Sequence, residues 1–400
     1  MRVLFVDDEP NILNGIRRIL RPLRKEWEME FCESGKEALQ ALEKGDCDVI
    51  VSDMKMPGMD GAEFLSAIKD KHPDSIRIAL SGETDSNMIF RCVQHAHQYL
   101  AKPCDMDVLT GTVNRALSLR SLVQDEELQK VIANMTSLPS LPEAYTAIME
   151  ELQSEDASLE RIAKIIETDI AMSAKLLQIV NSSFFGLVRH ISSPAEGAMF
   201  LGVDVIRSLV LTAGVFSQFD ESKVKTEDLS AIWNQSLRVG AVAENIMLDV
   251  SGDKLLANYA MMGGLMSNVG KLVIAANFPD RFAEIQKLIR AGDRSEIDVE
   301  KDVMGHCHTD IGAHLLCIWG LPNPVVECVA YHHSPAACVE EHFVPVSAVH
   351  VATAIIDAGA SDEPKGLDVE YIEKLGVADE IPKWVRAAHD TDADAENGGG

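Results

Sequence analysis

Residues 49–61 read Val49-Ile50-Val51-Ser52-Asp53-Met54-Lys55-Met56-Pro57-Gly58-Met59-Asp60-Gly61. A short β-branched run ends in an acid, and a Pro- and Gly-bearing connection leads into the helical stretch Ala62–Lys69. The spacing predicts a buried strand over Val49–Ser52, closed by Asp53. Further strand candidates are Val3–Val6, Met29–Cys32, Ile76–Leu80 and Gln98–Leu100, with amphipathic stretches such as Ile12–Leu23 between them. Five βα alternations over residues 1–104 imply a parallel sheet covered on both faces. In such sheets ligands sit at the carboxyl ends of the strands.

The residues at those ends carry chemistry. Asp7-Asp8 closes the first strand, Asp53 the third and Ser81 the fourth, and Lys102-Pro103 follows the fifth. Three carboxylates converging on one point repel one another unless a cation neutralises them, and a hard, oxygen-liganded Mg²⁺ fits. A carboxylate beside such an ion can act as a nucleophile toward phosphorus. A hydroxyl and an ammonium opposite it would hold the phosphoryl oxygens. One Asp at a strand end is usually only a turn former; the set in this order is not.

Residues 1–120 resemble the response-regulator receiver family through F-V-D-D-E-P, V-S-D-M-K-M-P-G-M-D-G, A-L-S-G and Y-L-A-K-P. The resemblance implies an α/β flavodoxin-like (βα)5 domain of a two-component phosphorelay, with a histidine kinase as partner. It implies Asp53 as phospho-acceptor, and Asp7, Asp8, Asp53 and the backbone carbonyl of Lys55 as the Mg²⁺ ligands, Asp8 favoured over Asp7 for direct contact. Ser81 and Lys102 would grip the phosphoryl group, and a cis-Pro103 would orient that loop. Tyr99 would be a rotameric switch, the alternative being a plain strand-edge aromatic.

From Asp105 the pattern becomes helical alone. Asp105–Met135 carries apolar positions at helical spacing and reads as the last receiver helix running on into a linker, residues 105–137. It also admits a coiled coil with a second copy, a homodimer, although Arg120 breaks the heptad. Leu138-Pro139-Ser140-Leu141-Pro142 marks a boundary, and helix follows helix to about Ala388 without an alternating strand pattern. An all-α domain over 138–358, a helical extension over 359–389 and a disordered acidic, glycine-ended tail over 390–400 are expected.

The segments I-I-E-T-D-I-A-M-S-A-K-L-L-Q-I-V-N-S-S-F-F-G and I-S-S-P-A-E-G-A-M-F-L-G-V-D-V-I-R-S-L-V, the turn at Gly202, W-G-L-P and Tyr331-His332-His333 resemble the HDOD family, an output domain related to HD-type metal-dependent phosphohydrolases. An active HD site needs His and Asp ligands from several helices. Against that pattern Trp233 is followed by Asn234-Gln235 where a histidine is expected. Ser267-Asn268 replaces His-Asp before Val269-Gly270-Lys271, and Thr353 stands where the last Asp belongs. His308 and His332-His333 survive. Serine and asparagine are poor ligands, and adjacent histidines on a helix point apart. The site is therefore expected to be degenerate, without a cofactor, its histidines structural; the alternative is that three histidines hold a single Zn²⁺, with His306 and His314 nearby. Met261-Met262-Gly263-Gly264-Leu265-Met266 reads as core packing.

Composition narrows the output. The net charge is −27, and residues 1–120 carry 16 basic and 20 acidic side chains, a net of −4 that leaves −23 for the remainder. A phosphate-backbone footprint is positive, so nucleic-acid binding is disfavoured. Eight scattered cysteines without C-x-x-C read as reduced thiols. No signal peptide and no bilayer-length apolar run are apparent, so a cytoplasmic protein is expected. The reading is a phosphorylation-switched adaptor acting on another protein, such as a kinase or a cyclic-di-nucleotide enzyme, with no enzymatic turnover beyond the receiver's own phosphoryl chemistry. The alternatives are a metal-dependent phosphohydrolase or a non-hydrolytic sensor of a cyclic nucleotide.

Overall fold

The computed structural model describes all residues except 82–94, 103–105, 119–124, 136–137, 141, 155, 182–190, 212–216, 219–225, 293, 339–341, 360, 362 and 398–400. The chain divides into two compact units, Met1–Phe219 with His314–Leu321, and Asp220–Ala313 with Pro322–Gly400.

The first unit opens on a sheet of β1 (Arg2–Val6), β2 (Glu28–Cys32), β3 (Val49–Asp53), β4 (Ile76–Ser81) and β5 (Gln98–Ala101), interleaved with α1 (Pro10–Ile19), α2 (Gly35–Leu42) and α3 (Gly61–Lys71). All neighbouring strands pair in parallel, in the order β2-β1-β3-β4-β5. This is the doubly wound order of flavodoxin-like domains. β3 is buried throughout and β1 nearly so, as central strands covered on both faces must be. α1 is shorter than Ile12–Leu23. Pro10 starts it, where a missing N–H is harmless, and Pro22 follows its end within a 3-10 turn over Arg21–Lys25.

The run Asp105–Met135 is not one helix. α4 (Met106–Ser118) and α5 (Glu126–Asn134) are separate, because Asp125 takes an extended backbone and caps α5 by accepting from the Leu128 N–H at 2.9 Å. Next come β6 (Pro139–Ser140), α6 (Pro142–Gln153), α7 (Leu159–Glu167), α8 (Ile170–Val180), α9 (Pro194–Leu211) and β7 (Ser217–Gln218). β6 and β7 pair in parallel over two residues each, a short ladder where only helices were expected. The ring of Pro139 holds φ in a range that extended backbone accepts, which favours it. α9 breaks at Gly202, whose φ of 78° suits glycine.

Within this unit the end of the sheet at β4 and β5 bonds to helical backbone. Arg77 Nη2 and His97 Nε2 donate to the Ala133 carbonyl at 2.9 and 2.6 Å. Gln178 Nε2 donates to the His97 carbonyl at 2.9 Å. Gln98 Nε2 reaches the carbonyls of Cys317 and Ile318 at 3.1 and 2.8 Å, and Trp319 Nε1 donates to the Met135 carbonyl at 3.1 Å.

The second unit is helical: α10 (Thr226–Ser251), α11 (Lys254–Met266), α12 (Val269–Asn277), α13 (Pro279–Ala291), α14 (Glu296–Met304), the first residues of α15 (His308–Ile318), α16 (Asn323–Tyr331), α17 (Pro345–Ala358), α18 (Val369–Lys374) and α19 (Ile381–Asn397). Met262 and Met266 are fully buried, as the core-packing reading requires. α19 continues to Asn397. Asp249 pins its start, accepting from Lys383 Nζ at 2.6 Å and Trp384 Nε1 at 3.0 Å.

Candidate functional site

Strand register brings the first constellation together. Val6 pairs with Ser52, Asp53 with Leu80 and Ser81 with Ala101, so Asp7, Asp53, Ser81 and Lys102 fall at one edge of the sheet. The connection after β3 is held by a capping box, with Asp60 accepting from the Glu63 N–H at 2.9 Å and Glu63 from the Asp60 N–H at 3.2 Å. Gly61 allows the turn to close, since a Cβ there would lie 2.2 Å from the Asp53 carbonyl oxygen. Asp7 accepts from the Glu9 N–H at 2.9 Å.

Asp7 and Asp53 are buried and Asp8 is half-buried, with one oxygen from each within 4.8 Å of the others. Lys102 Nζ lies 2.6 Å from Asp7 Oδ2 and 2.7 Å from Asp53 Oδ1. Burial raises the Asp53 carboxyl above the usual carboxylate range, and the Lys102 ammonium only partly opposes it. Burial alone would lower Lys102, but its bonds to Asp53 and Asp7 outweigh that and raise it. A cluster of three carboxylates against one ammonium is oxygen-rich and negative, a donor set that fits a hard divalent cation. Tyr99 is buried, its hydroxyl donating to the Ala96 carbonyl at 3.3 Å. The Lys55 side chain is exposed. The Ser81 side chain and Pro103 lie outside the described residues.

A second constellation lies in the second unit. His308 is fully buried; its Nδ1 and its backbone N–H both donate to Glu300 Oε2 at 2.7 Å. One ring nitrogen from each of His308, His332 and His333 lies within 4.8 Å of the others. Burial, with the neighbouring rings and Lys271, pushes His332 well below the ordinary imidazole value. Lys271 Nζ pairs with Glu296 Oε2 at 2.7 Å; burial would lower the ammonium, but Glu296 and Glu300 outweigh that and raise it. Gln235 Nε2 donates to Asp357 Oδ1 at 2.6 Å, and Asn268 Nδ2 to Ser236 Oγ at 3.0 Å and Gln235 Oε1 at 3.5 Å. Gly270 lets α12 approach α15, since a Cβ there would stand 1.9 Å from the His308 carbonyl oxygen.

Two family models match the chain, the response regulator receiver domain over residues 3–114 and the HDOD domain over residues 138–335. The chain is a response regulator with a receiver domain followed by an HDOD domain. It is similar to an uncharacterized protein of Treponema pallidum, 24% identical over 64% of this chain and 46% of that one. It is also similar to the hydrogenase transcriptional regulatory protein HoxA of Cupriavidus necator, 34% identical over 40% of this chain and 33% of that one. The chain thus spans at most about half the length of these curated relatives, 46% and 33%. Among solved structures it is similar to the MmoQ response regulator of Methylococcus capsulatus, 24% identical over 62% of this chain and 97% of that one, with a TM-score of 0.46. No helix among the described residues is long and apolar enough to cross a membrane.

In the receiver, Asp7, Asp8, Asp53 and Lys102 come together as the strand ends predict. In the HDOD domain the outcome is mixed. His332 and His333 do not diverge: α16 ends at Tyr331, both lie in the following turn, and their ring centroids are 4.2 Å apart. Ser267 Oγ is turned back to the Gly264 carbonyl at 2.8 Å. Thr353 is buried, its hydroxyl without a hydrogen-bond partner among the described residues. The carboxylate bonded to Gln235 is Asp357, one turn further along α17. Asp357, Lys271, Glu296 and Glu300 were not singled out from sequence. The i,i+4 spacing of Thr353 with Asp357, and of Glu296 with Glu300, was the available signal.

Proposed function

We infer that this response regulator is switched by phosphorylation of Asp53 and that its HDOD domain passes the signal on by binding another protein. The observation that carries the reading is the convergence of Asp7, Asp8 and Asp53 on one point with Lys102 bonded to two of them. A kinase phosphohistidine would be the donor: its P–N bond breaks as an Asp53 oxygen bonds to phosphorus. Asp7 and Asp8, with the Lys55 carbonyl, would hold Mg²⁺, which supplies charge neutralisation to the phosphoryl oxygens. Lys102 would then exchange its Asp7 bond for a phosphoryl oxygen, while the Ser81 hydroxyl moves in to donate a second bond and Tyr99 takes the vacated space.

The signal has a short path. β5 carries Tyr99 beside Gln98, and Gln98 donates to the end of α15. The HDOD domain carries no carboxylate at the positions of Ser267 and Asn268, so it has no binuclear hydrolytic centre in this reading. The protein acts in the cytoplasm on a kinase or a cyclic-di-nucleotide enzyme, and binds neither nucleic acid nor membrane.

Intact-mass spectrometry after incubation with acetyl phosphate and Mg²⁺ tests the switch. One added phosphoryl group on the wild type and none on Asp53→Asn is expected. Equal labelling of Asp53→Asn overturns the assignment. Capture of proteins from source lysate, with and without beryllofluoride, tests the output; identical captures would remove the adaptor reading.

A further inference from the structure

The histidines of the second unit fall into two kinds. His350 satisfies both ring nitrogens: Nδ1 donates to the His332 carbonyl at 2.7 Å and Nε2 accepts from the Asp368 N–H at 2.9 Å. It is a structural histidine, and it fixes the backbone at His332. His308 is different. Its Nδ1 is committed to Glu300, a carboxylate that can only accept, while its buried Nε2 has no hydrogen-bond partner among the described residues. His332 repeats half of the pattern, its Nδ1 donating to the carbonyls of Cys328 and Val329, both at 3.1 Å. In both rings the outer nitrogen is tied to an acceptor, which leaves Nε2 with its lone pair. The His333 ring completes the group, 5.4 Å from that of His308 and 4.2 Å from that of His332.

We propose that His308, His332 and His333 bind a single divalent transition-metal ion of the Zn²⁺ class, with Glu300 as the outer carboxylate that orients His308. Imidazole nitrogens suit such an ion, and three of them leave its fourth position open. A carboxylate behind a ligating imidazole fixes the ring and strengthens it as a donor. Zn–N bonds of about 2.1 Å place neighbouring nitrogens about 3.4 Å apart. One ring nitrogen of each histidine already lies within 4.8 Å of the others, and the ion would draw them to that spacing. The ion clamps the first turn of α15 to the end of α16. No second ion joins it, because Ser267 is turned into its own helix and Lys271 already occupies Glu296. The proposal goes beyond the adaptor reading, departs from the expectation of a domain without a cofactor, and stands whether or not Asp53 is the switch.

The test uses the full chain, untagged, stripped with a chelator and carrying Asp8→Asn to remove the receiver's oxygen site. Co²⁺ is titrated in and the intense visible bands of four-coordinate cobalt are followed, with Zn²⁺ added to compete. One equivalent of Co²⁺ is expected, displaced stoichiometrically by Zn²⁺. His333→Ala, at an exposed position, should abolish the bands while leaving the circular dichroism spectrum intact. Glu300→Gln should weaken binding about 10- to 100-fold. Absence of the bands in the parent chain, or bands that survive both His333→Ala and His332→Ala, overturns the proposal. His308→Ala adds a third check where it folds, and His333→Ala decides where it does not.

Discussion

Gln98→Ala removes two hydrogen bonds of unequal worth. The Cys317 carbonyl keeps a second donor, the Gly320 N–H at 3.0 Å. The Ile318 carbonyl has none among the described residues, because the residue four positions on is Pro322, which has no N–H to give. Gln98 supplies the bond that the proline cannot, at 2.8 Å and at a residue 1% exposed. Leaving a buried carbonyl unpaired costs about 1–3 kcal/mol. A value near 2 kcal/mol corresponds to roughly a 30-fold rise in local opening. Hydrogen exchange of the amides in residues 314–321 measures this directly and does not require the whole chain to unfold in one step. Gln98→Glu should be worse, since a carboxylate would face two carbonyls. If Gln98 also carries the receiver's signal, beryllofluoride should change exchange in 314–321 of the wild type and not of Gln98→Ala. Exchange within twofold of wild type for both substitutions would refute the argument that Gln98 replaces the missing donor.

Three further outcomes follow from the geometry. Gly270→Ala would push a Cβ to within 1.9 Å of the His308 carbonyl, backbone that cannot swing aside, and should cost at least about 3 kcal/mol in urea unfolding; Gly15→Ala, with nothing within 4 Å, should instead stabilise by up to about 1 kcal/mol. His97, fully buried and held well below the ordinary value by burial and by Arg77, should make stability fall with acidification. Below about pH 6.5 the unfolded chain takes up a proton on His97 that the folded chain refuses, a loss of about 1.4 kcal/mol per pH unit, and a flat denaturant midpoint between pH 6.5 and 5 would contradict this. Lys102→Met removes an ammonium that competes for Asp7 and Asp53, so Mg²⁺, followed by isothermal titration, should bind roughly tenfold more tightly; unchanged or weaker binding would argue against competition for the same oxygens.

The receiver was legible because its signals are periodic and repeated. Each strand is a short apolar run, and the residues that matter close those runs, so a one-residue error in a boundary leaves Asp53 or Lys102 at the same edge. The division of Asp105–Met135 was harder to read. Its apolar spacing is helical on both sides of the break, and the interruption rests on one capping carboxylate, Asp125, which also reads as an ordinary helix-surface acid. The pairing of Pro139–Ser140 with Ser217–Gln218 joins residues far apart in sequence through two positions each, too short for any periodic signal.

The histidine cluster of the HDOD domain exposes a different limit. The reading that His332 and His333 diverge assumes a helix, and the assumption fails by one residue, because α16 stops at Tyr331. The reading that Thr353 marks a lost acid assumes a fixed position along α17, yet Asp357 lies one turn further and its carboxylate accepts from Gln235. Substitution at a motif position therefore does not empty a site of charge when a neighbour at i+4 shares its face. Ser267 and Asn268, the positions read from the motif as a replaced ligand pair, are both committed to hydrogen bonds with neighbouring residues. Glu300 orients a buried imidazole, His308, whose other nitrogen has no hydrogen-bond partner among the described residues, a state that packing alone rarely leaves. A motif read as lacking hydrolytic ligands and a triad proposed to bind one ion are separable, and only the first reading follows from the motif.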